Sequence, residues 1–528
     1  MFRIKPLYLT LLTLSAFAIP LTHATSSTLM SLSDEQLSET TGQALMSLSY
    51  IAPTDTANLE RQRAGGNTNI GFYKLGLEAE LELNANIKKL QLGCGGSNGA
   101  GACDIDIDNL SLSGLADTDT GRASSSAKMT NPFIEFAIKN PNSASTREIT
   151  GLRLSAEKVV GLLTAGTENS TTQNGINAIS GFMRIQSDSS GYVYGKANTA
   201  ARKFIASPNA TYMVDGVSQT YNNQVTGKVK VTGLGFLGNA ISPITFATTD
   251  GGFNVPAMSN IPFIRSGVVV NGNRVSSLPL QAVLNVPQIQ VDWRGVYPEN
   301  GQVNYANPVE SPVDWNFQVP SGVQTQGGGV RAVITDCGFL ACLVAGNGKV
   351  LPSVMMKGAI QGIKADVTIN QGLGYIHYLP INSAFSLSLQ SQALKWPGSY
   401  SGVNPERTNV DGTTNSSVPA TISDVAQKGW WMSFSDPINL GSVDPVKSID
   451  IAPLFPQIAT QITNYLMNED NAASLSVTQL GNVITGLGDV NVGIGTLNVP
   501  QTLQLTLNDL QLNGQNFASN CYGSMKFC

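Results

Sequence analysis

Between Gly71 and Leu115 the chain alternates apolar and polar positions almost without interruption. Leu75, Leu77, Ala79, Leu81, Leu83, Ala85 and Ile87 fall on odd numbers, with Glu78, Glu80, Glu82 and Asn84 between them. A period of two predicts a long strand with one buried and one wet face. The parity then slips, because Leu90 and Leu92 are even-numbered. One extra residue near Lys88–Lys89, as in a β-bulge, accounts for the slip. A Gly-rich loop from Cys94 to Cys103 turns the chain, and the return strand repeats the device: Ile105 and Ile107 are odd, Leu110 and Leu112 even. The expected unit is a bulged hairpin clipped at its tip.

The same grammar continues. Pro132–Lys139, Ile149–Gly166, and the segments YVYGKA, GKVKVTGLGFL, GVVVNGNRVSSL, LNVPQIQVDW and AIQGIKADVTIN read as strands separated by Asn-Gly, Gly-Asn and Pro turns. Asn271-Gly272, between Val270 and Val275, predicts a tight hairpin turn. The run Ile107–Gly114 (IDNLSLSG) returns as Leu507–Gly514 (LNDLQLNG), with the parity shift at the Asn/Asp pair in both, and Ile-Thr-Gly-Leu occurs at 149 and at 484. No fixed period accompanies these echoes, so a strict solenoid is not expected. Helix is expected in two places. Ser33–Thr41 opens with a capping box and stops at Gly42, and Leu454–Met467 carries Leu454, Ile458, Ile462 and Leu466 at helical spacing. The predicted class is mainly β: long bulged antiparallel hairpins in an extended sheet, a sandwich or an irregular solenoid-like stack, with two short helices.

The first 24 residues have a basic start (Arg3, Lys5), an apolar run from Leu7 to Ala18 too short to span a bilayer, and a small-residue site ending at Ala24. They read as a secretory signal peptide, with Ala16-Phe17-Ala18 as the competing cleavage site. Further along, no stretch is apolar for long enough to be a transmembrane helix. On this reading the chain divides into a leader (1–24), an N-terminal helical segment (25–48), a β-rich region (49–320), and a second β-rich region (321–528) with a short helix and a disulfide-closed C-terminal tail. The boundary falls in the Pro-, Asn- and Gly-rich segment from Trp293 to Gly329.

Losing Arg3 and Lys5 makes the formal net charge of −5 more acidic still. Charged residues are only 13% of the chain and no basic run exists, which argues against a nucleic-acid partner. The six cysteines form three close pairs: Cys94 with Cys103, Cys337 with Cys342, and Cys521 with Cys528. In an exported chain this spacing reads as three local disulfides, each worth roughly 2–3 kcal/mol of chain entropy. Metal binding is the weaker reading, since the mature chain keeps one histidine, His377, and has no Cys-x-x-Cys.

Candidate chemistry is thin. A catalytic triad could use only His377, which sits among aromatics in GLGYIHYLP and reads as a packed strand residue. Gly95-Gly96-Ser97-Asn98-Gly99 matches G-x-S-x-G but lies in the Cys-closed loop, not at a strand-to-helix elbow. Asp104, Asp106 and Asp108 alternate along one strand face; calcium is conceivable, but a solvated face is the expected role. Asp292, Glu299 and Asp314 near Trp293 and Trp315 form the one acid–Trp cluster suited to glycoside chemistry. No catalytic residue, metal ligand or cofactor site is assigned, and an enzyme is not expected.

Several segments carry a resemblance. LSDEQLSETTGQAL near the N-terminus, GLEAELELNANIKKLQL, and PFIEFAIKN followed by REITGLRLSAEKVVG resemble a family of exported β-rich proteins of Gram-negative bacteria, the FilA-like pilus-assembly proteins. The matching residues in the last segment are Phe133, Ile134, Glu135, Ala137, Gly151, Arg153, Ala156 and Gly161, although the spacing after Arg153 departs from the family's pattern. The resemblance implies an envelope or surface role and supplies no catalytic residues. The resulting expectation is an exported structural or assembly protein of a pilus- or fimbria-type appendage, or an adhesin. It would reside in the periplasm, at the outer membrane or on the cell surface, with other envelope or pilus proteins as partners through strand addition. A carbohydrate-binding or carbohydrate-active protein, and an outer-membrane β-barrel, are the alternatives.

Overall fold

In a computed structural model of the chain, the alternating segments become strands, and strand makes up 55% of the structure against 12% helix. The structure describes residues 45–116, 119–167, 172–187, 192–233, 235, 244–255, 257–266, 268–285, 289–292, 330–337, 342, 348–408, 413–485 and 490–515. The expected signal peptide and the expected Ser33–Thr41 helix lie outside the described residues.

The largest sheet has thirteen strands. They are β1 (Met46–Ile51), β2 (Ile70–Leu77), β3 (Glu80–Leu83), β4 (Ala85–Leu92), β5 (Ile105–Ser113), β6 (Ala127–Lys139), β7 (Glu148–Thr164), β8 (Ile176–Gln186), β9 (Val268–Val275), β10 (Tyr378–Ser383), β11 (Phe385–Gln390), β12 (Gly429–Phe434) and β13 (Ile438–Asn439). The main path runs β1-β2-β6-β7-β11-β12-β8-β5-β4, and a further β5–β7 pairing closes a circuit through β7, β11, β12 and β8. Residues 49–320 and 321–528 therefore do not form separate sheets. Residues of β11 and β10 pair along β7, and β12 pairs with β8.

A second sheet of seven strands includes Thr226–Thr232, Ile244–Asp250, Val330–Asp336 and Val350–Gln361. Pairing is mainly antiparallel, but late strands join in parallel: Ala473–Ser476 and Val490–Asn498 lie alongside Thr226–Thr232 and Val350–Gln361 in this sheet, and Leu503–Asn508 lies alongside Lys364–Gly372 in a separate three-stranded sheet. The expected C-terminal helix is present as α3 (Phe455–Met467). It follows the short helices α1 (Leu59–Gln62) and α2 (Asp119–Ala123) and precedes α4 (Val477–Thr485). Phe455, Ile458, Ala459, Ile462 and Leu466 give α3 a buried apolar stripe of helical period. Because Ile484 belongs to α4 while Ile149 belongs to β7, the Ile-Thr-Gly-Leu echo is not a structural repeat.

Three expectations are corrected, two of them in the opening hairpin. The run from Leu75 to Ile87 is not one strand but β2, β3 and β4, interrupted at Glu78–Ala79 and at Asn84. The parity slip is not a one-sided bulge either. Ile87 pairs with Leu110 and Lys89 with Asp108, so both strands slip at the same level and the register is unbroken. Asn109 adopts a left-handed φ of 47° there, and Asp509 in the echoing segment does the same at 51°. At that kink β5 changes neighbour, from β8 (Ile105–Ile107) to β7 (Ser111–Ser113). The third correction concerns Asn271-Gly272, which makes no turn. It runs within β9, paired with Phe182 and Gly181, and the irregularity is taken up by a register shift before Val275 and by Arg274 at φ 55°.

Two of the three expected disulfides are present, Cys94–Cys103 and Cys337–Cys342, and no cysteine among the described residues is free. The third expected bridge, between Cys521 and Cys528, is not among them. Cys521 lies outside the described residues, and so does Cys528, because the described chain stops at Gln515. The disulfide-closed C-terminal tail is therefore an expectation of the sequence alone. The two bonds that are present fit an oxidising compartment, as in the periplasm or outside the cell. No helix among the described residues is long and apolar enough to cross a membrane.

Candidate functional site

Six neighbouring strands, β1, β2, β6, β7, β11 and β12, form a wing whose two faces differ in chemistry. Strand pairing places side chains directly opposite one another, so each face can be read row by row. One row crosses the wing as Ser49, Lys74, Glu135, Arg153, Ser388 and Trp431. The adjacent row on the same face is Ser47, Gly76, Phe133, Ser155, Ser386 and Ser433. Shifted by one residue, the opposite face reads Leu48, Leu75, Ile134, Leu154, Leu387 and Met432, and beside it Tyr50, Tyr73, Phe136, Leu152, Leu389 and Trp430.

The polar face is the covered one. A loop after β11 lays Leu394 and Trp396 over it, and with Ile70, Phe72, Ala137 and Trp431 they make a small second core. Gly151 is required beneath this loop: a Cβ there would sit 2.7 Å from Leu394 Cδ1 and 2.9 Å from Trp396 Cζ2. The loop is anchored by Glu60 of α1, which is fully buried. Its carboxylate accepts from Arg63 Nε (2.9 Å) and Nη2 (2.7 Å), from the backbone N–H of Asn67 (2.8 Å) and from that of Lys395 (2.8 Å). Four donors on one buried carboxylate make Glu60 a structural clamp.

Between the loop and the sheet lies a cavity of about 400 Å³. Glu135 and Arg153, 2% and 7% exposed, form a buried ion pair through Arg153 Nη2 in its wall. The guanidinium lies between two rings, 5.4 Å from the centroid of Phe133 and 5.2 Å from that of Trp396. Burial raises the Glu135 pKa, and the nearby Arg153 charge offsets only part of that. Asp424, 4% exposed, accepts from Trp431 Nε1 at 2.9 Å and from Ser433 Oγ, and burial raises its pKa as well. At the rim Lys74 Nζ meets Glu157 Oε1 at 2.8 Å, and Asn131 Nδ2 donates to Glu157 Oε2 at 2.8 Å. Lys74 also lies 4.3 Å from the Phe133 ring centroid. Two buried donors on lining residues, Arg153 Nε and Ser399 Oγ, have no hydrogen-bond partner among the described residues. Such an unmade bond costs about 1–3 kcal/mol.

The apolar face is the open one. Leu48 is 74% exposed, Leu75 41%, Ile134 39% and Leu154 45%, whereas Met432 at the far end of the row is 3% exposed. The face thus leaves the main core at Met432 and is already open at Leu154 of β7, well before β1. Met46 and Leu389 are exposed on the same side, and Tyr50 stacks on Tyr73 with ring centroids 4.3 Å apart. Among the described residues β1 pairs with β2 alone, so its outer backbone edge carries no strand.

The residues singled out in the sequence fall as follows. Of the residues that carried the family resemblance, Phe133, Glu135, Arg153 and Ala156 line the cavity, and Gly151 lies beneath Leu394 and Trp396. Of the acid–Trp cluster, Trp293, Glu299, Asp314 and Trp315 lie outside the described residues, and Asp292 ends the strand Ile289–Asp292. The acids and indoles that do meet are Glu135, Asp424, Trp396 and Trp431. Of these, only Glu135 was singled out in the sequence, through the resemblance; Asp424, Trp396 and Trp431 were not. Asp106 and Asp108 share Lys89 Nζ and Asn177, as a solvated strand face would. Asp104 instead is buried, taking the backbone N–H of Trp430 at 3.0 Å and Asn98 Nδ2 at 2.8 Å. Among the described residues no group of three acidic, His or Cys side chains could hold a metal ion. Ser97 is exposed in a short 3-10 turn within the Cys94–Cys103 loop, away from any elbow. His377 is buried and its Nδ1 lies 2.6 Å from the Ala165 carbonyl oxygen, with its pKa lowered by burial, which is the packed role expected. No family model, curated protein or solved structure matches this chain.

Proposed function

We propose that this chain is an exported envelope or surface protein that works by offering a sheet face and its edge to another protein, in the assembly of a pilus- or fimbria-type appendage or in adhesion. The observation that carries this reading is the outward face of the wing. Every residue in its two rows is apolar or aromatic, and the row that starts buried at Met432 is exposed from Leu154 of β7 out to Leu48, beside the unpaired outer edge of β1. Contiguous exposed apolar surface marks interaction sites, and an open edge beside it offers main-chain hydrogen bonds to an incoming strand. The disulfides and the leader-like N-terminus support export. The FilA-like resemblance supports the appendage.

The test is genetic. Deleting the chain is expected to reduce surface fibres or attachment without changing growth. Restoring it as the Leu48→Glu, Leu75→Glu double variant is expected to give normal protein levels and no recovery of fibres, because both side chains are already in solvent while any partner must bury them. Wild-type fibres and adhesion in the deletion strain would remove the reading. A double variant that restores fibres fully would show that this face is not the one used, and loss of membrane association alone would point to a lipid contact.

A further inference from the structure

We propose that the cavity under the β11–β12 loop is a binding site for a neutral polyhydroxylated ligand, with the chemistry of a saccharide unit. This does not depend on the appendage reading, because it rests on the opposite face of the wing. A volume of about 400 Å³ lies within the range of small-molecule sites. The wall offers hydroxyls of Ser155, Ser386, Ser388 and Ser433 beside the ring faces of Phe133 and Trp396. That mixture suits a ring with polar edges and an apolar face.

The charges select against ions. Lys74 is paired with Glu157 and Arg153 with Glu135, so neither cation is left over for an anionic ligand. Asp424 adds a carboxylate, but both of its oxygens already accept hydrogen bonds from Trp431 and Ser433, which leaves it a poor seat for a cation. The second, independent observation is the pair of stranded donors. Arg153 is 7% exposed, its Nη2 is held by Glu135, and its Nε faces no acceptor among the described residues; Ser399 Oγ is in the same position. Both belong to residues of the lining; each atom is itself closed off from solvent, so a ligand hydroxyl completes it by displacing the side chain that covers it. Glu135 acts here as a positioning residue, fixing the guanidinium plane between the two rings.

The purified exported chain can be titrated with glucose, galactose and N-acetylglucosamine, and with glucuronic acid and glucosamine as charged counterparts. Intrinsic tryptophan fluorescence is a direct readout, since Trp396 and Trp431 line the cavity. Saturable binding of at least one neutral sugar is expected, weakened at least tenfold for its charged counterpart. Ser386→Phe, which fills the cavity from the middle of β11, is expected to weaken binding at least tenfold with the melting temperature preserved. Ser399→Ala removes one stranded donor without touching the ion pair and is expected to weaken binding severalfold, which keeps the test decisive if Ser386→Phe fails to fold. No saturable binding of any neutral sugar, tighter binding of a charged one, or undiminished binding by Ser399→Ala together with any folded Ser386→Phe would overturn the proposal.

Discussion

The two faces of the β1–β2–β6–β7–β11–β12 wing are made of the same strands and differ by a shift of one residue, yet they are stabilised in opposite ways. One buries a Glu–Arg pair, an Asp and a ladder of serines under a loop. The other leaves leucines, an isoleucine and tyrosines in solvent. A period of two guarantees that faces differ, but it does not say which face the rest of the chain will cover. The polar face can be inside because its charges are partnered within the protein: Glu135 by Arg153, and Asp424 by Trp431 and Ser433. Among the described residues nothing covers the apolar face at its β1 end, and the proposed partner would complete it there.

The largest effect expected from this contrast is on stability. Trp431 is 2% exposed, packs in the second core and donates to Asp424. Trp431→Ala should cost about 3–5 kcal/mol in chemical denaturation. Leu154→Ala lies further out on the opposite face, at 45% exposure, and should change stability by no more than about 0.5 kcal/mol. Equal losses would mean that the outward face is buried in the isolated chain and that the asymmetry does not exist.

How far this was legible in the sequence follows from the same contrast. The alternation of Leu75 and Leu77 correctly gave a strand, and with it the mainly β class. The inference that the leucines face inward was reversed, because nothing within Gly71–Leu115 announces that residues 391–428 return roughly three hundred positions later to roof the other side. Glu80, Leu81, Glu82 and Leu83 of β3 are all exposed, so there the alternation marks no buried face at all. The close spacing of Cys94 to Cys103 and of Cys337 to Cys342 was enough to pair them, because a short loop brings both thiols within reach whatever the fold around them. The same reasoning joined Cys521 to Cys528, where the described residues offer no bond to set beside it. The parity slips at Asn109 and Asp509 were visible, but their cause was not. An Asn or Asp tolerates the left-handed conformation, and only the fold shows that β5 changes neighbour there. Glu135 and Arg153 were named through the resemblance, whereas their pairing is a matter of register. Asp424, in a stretch of ordinary polar composition, is defined wholly by the tertiary contacts of Trp431 and Ser433.

The next expected effect separates the faces by pH. Burial raises the pKa of Asp424, so its neutral form is favoured in the folded protein. Stability from this group is therefore fully present below the ordinary aspartate value of 3.8 and is lost as pH climbs through the higher folded value. Asp424→Asn keeps an acceptor for Trp431 and offers its amide to Ser433 Oγ. It should flatten that alkaline-side decline and leave the protein more stable than wild type at neutral pH. Melting temperatures of the two proteins between mildly acidic and neutral pH provide the measurement. Parallel profiles would show that Asp424 is not desolvated, and with it that the loop does not close over this face.

The smallest effect belongs to the rim, where the sign turns around. Glu157 is held by Lys74 and Asn131, and these hydrogen bonds lower its pKa despite the opposing effect of burial. Its contribution is thus present above the ordinary glutamate value of 4.5 and is lost as pH falls through the lower folded value. The side chains of Lys74 and Glu157 are 26% and 50% exposed, so the pair is screened by solvent and salt. Glu157→Gln should cost no more than about 1 kcal/mol at low ionic strength, and the difference should shrink at high salt. Glu135→Gln, further inward on the same sheet, would strand Arg153 in the protein interior and should keep most of its cost in high salt. If both losses faded equally with salt, Arg153 would be in contact with solvent ions, and the cavity would be an open groove rather than a roofed site.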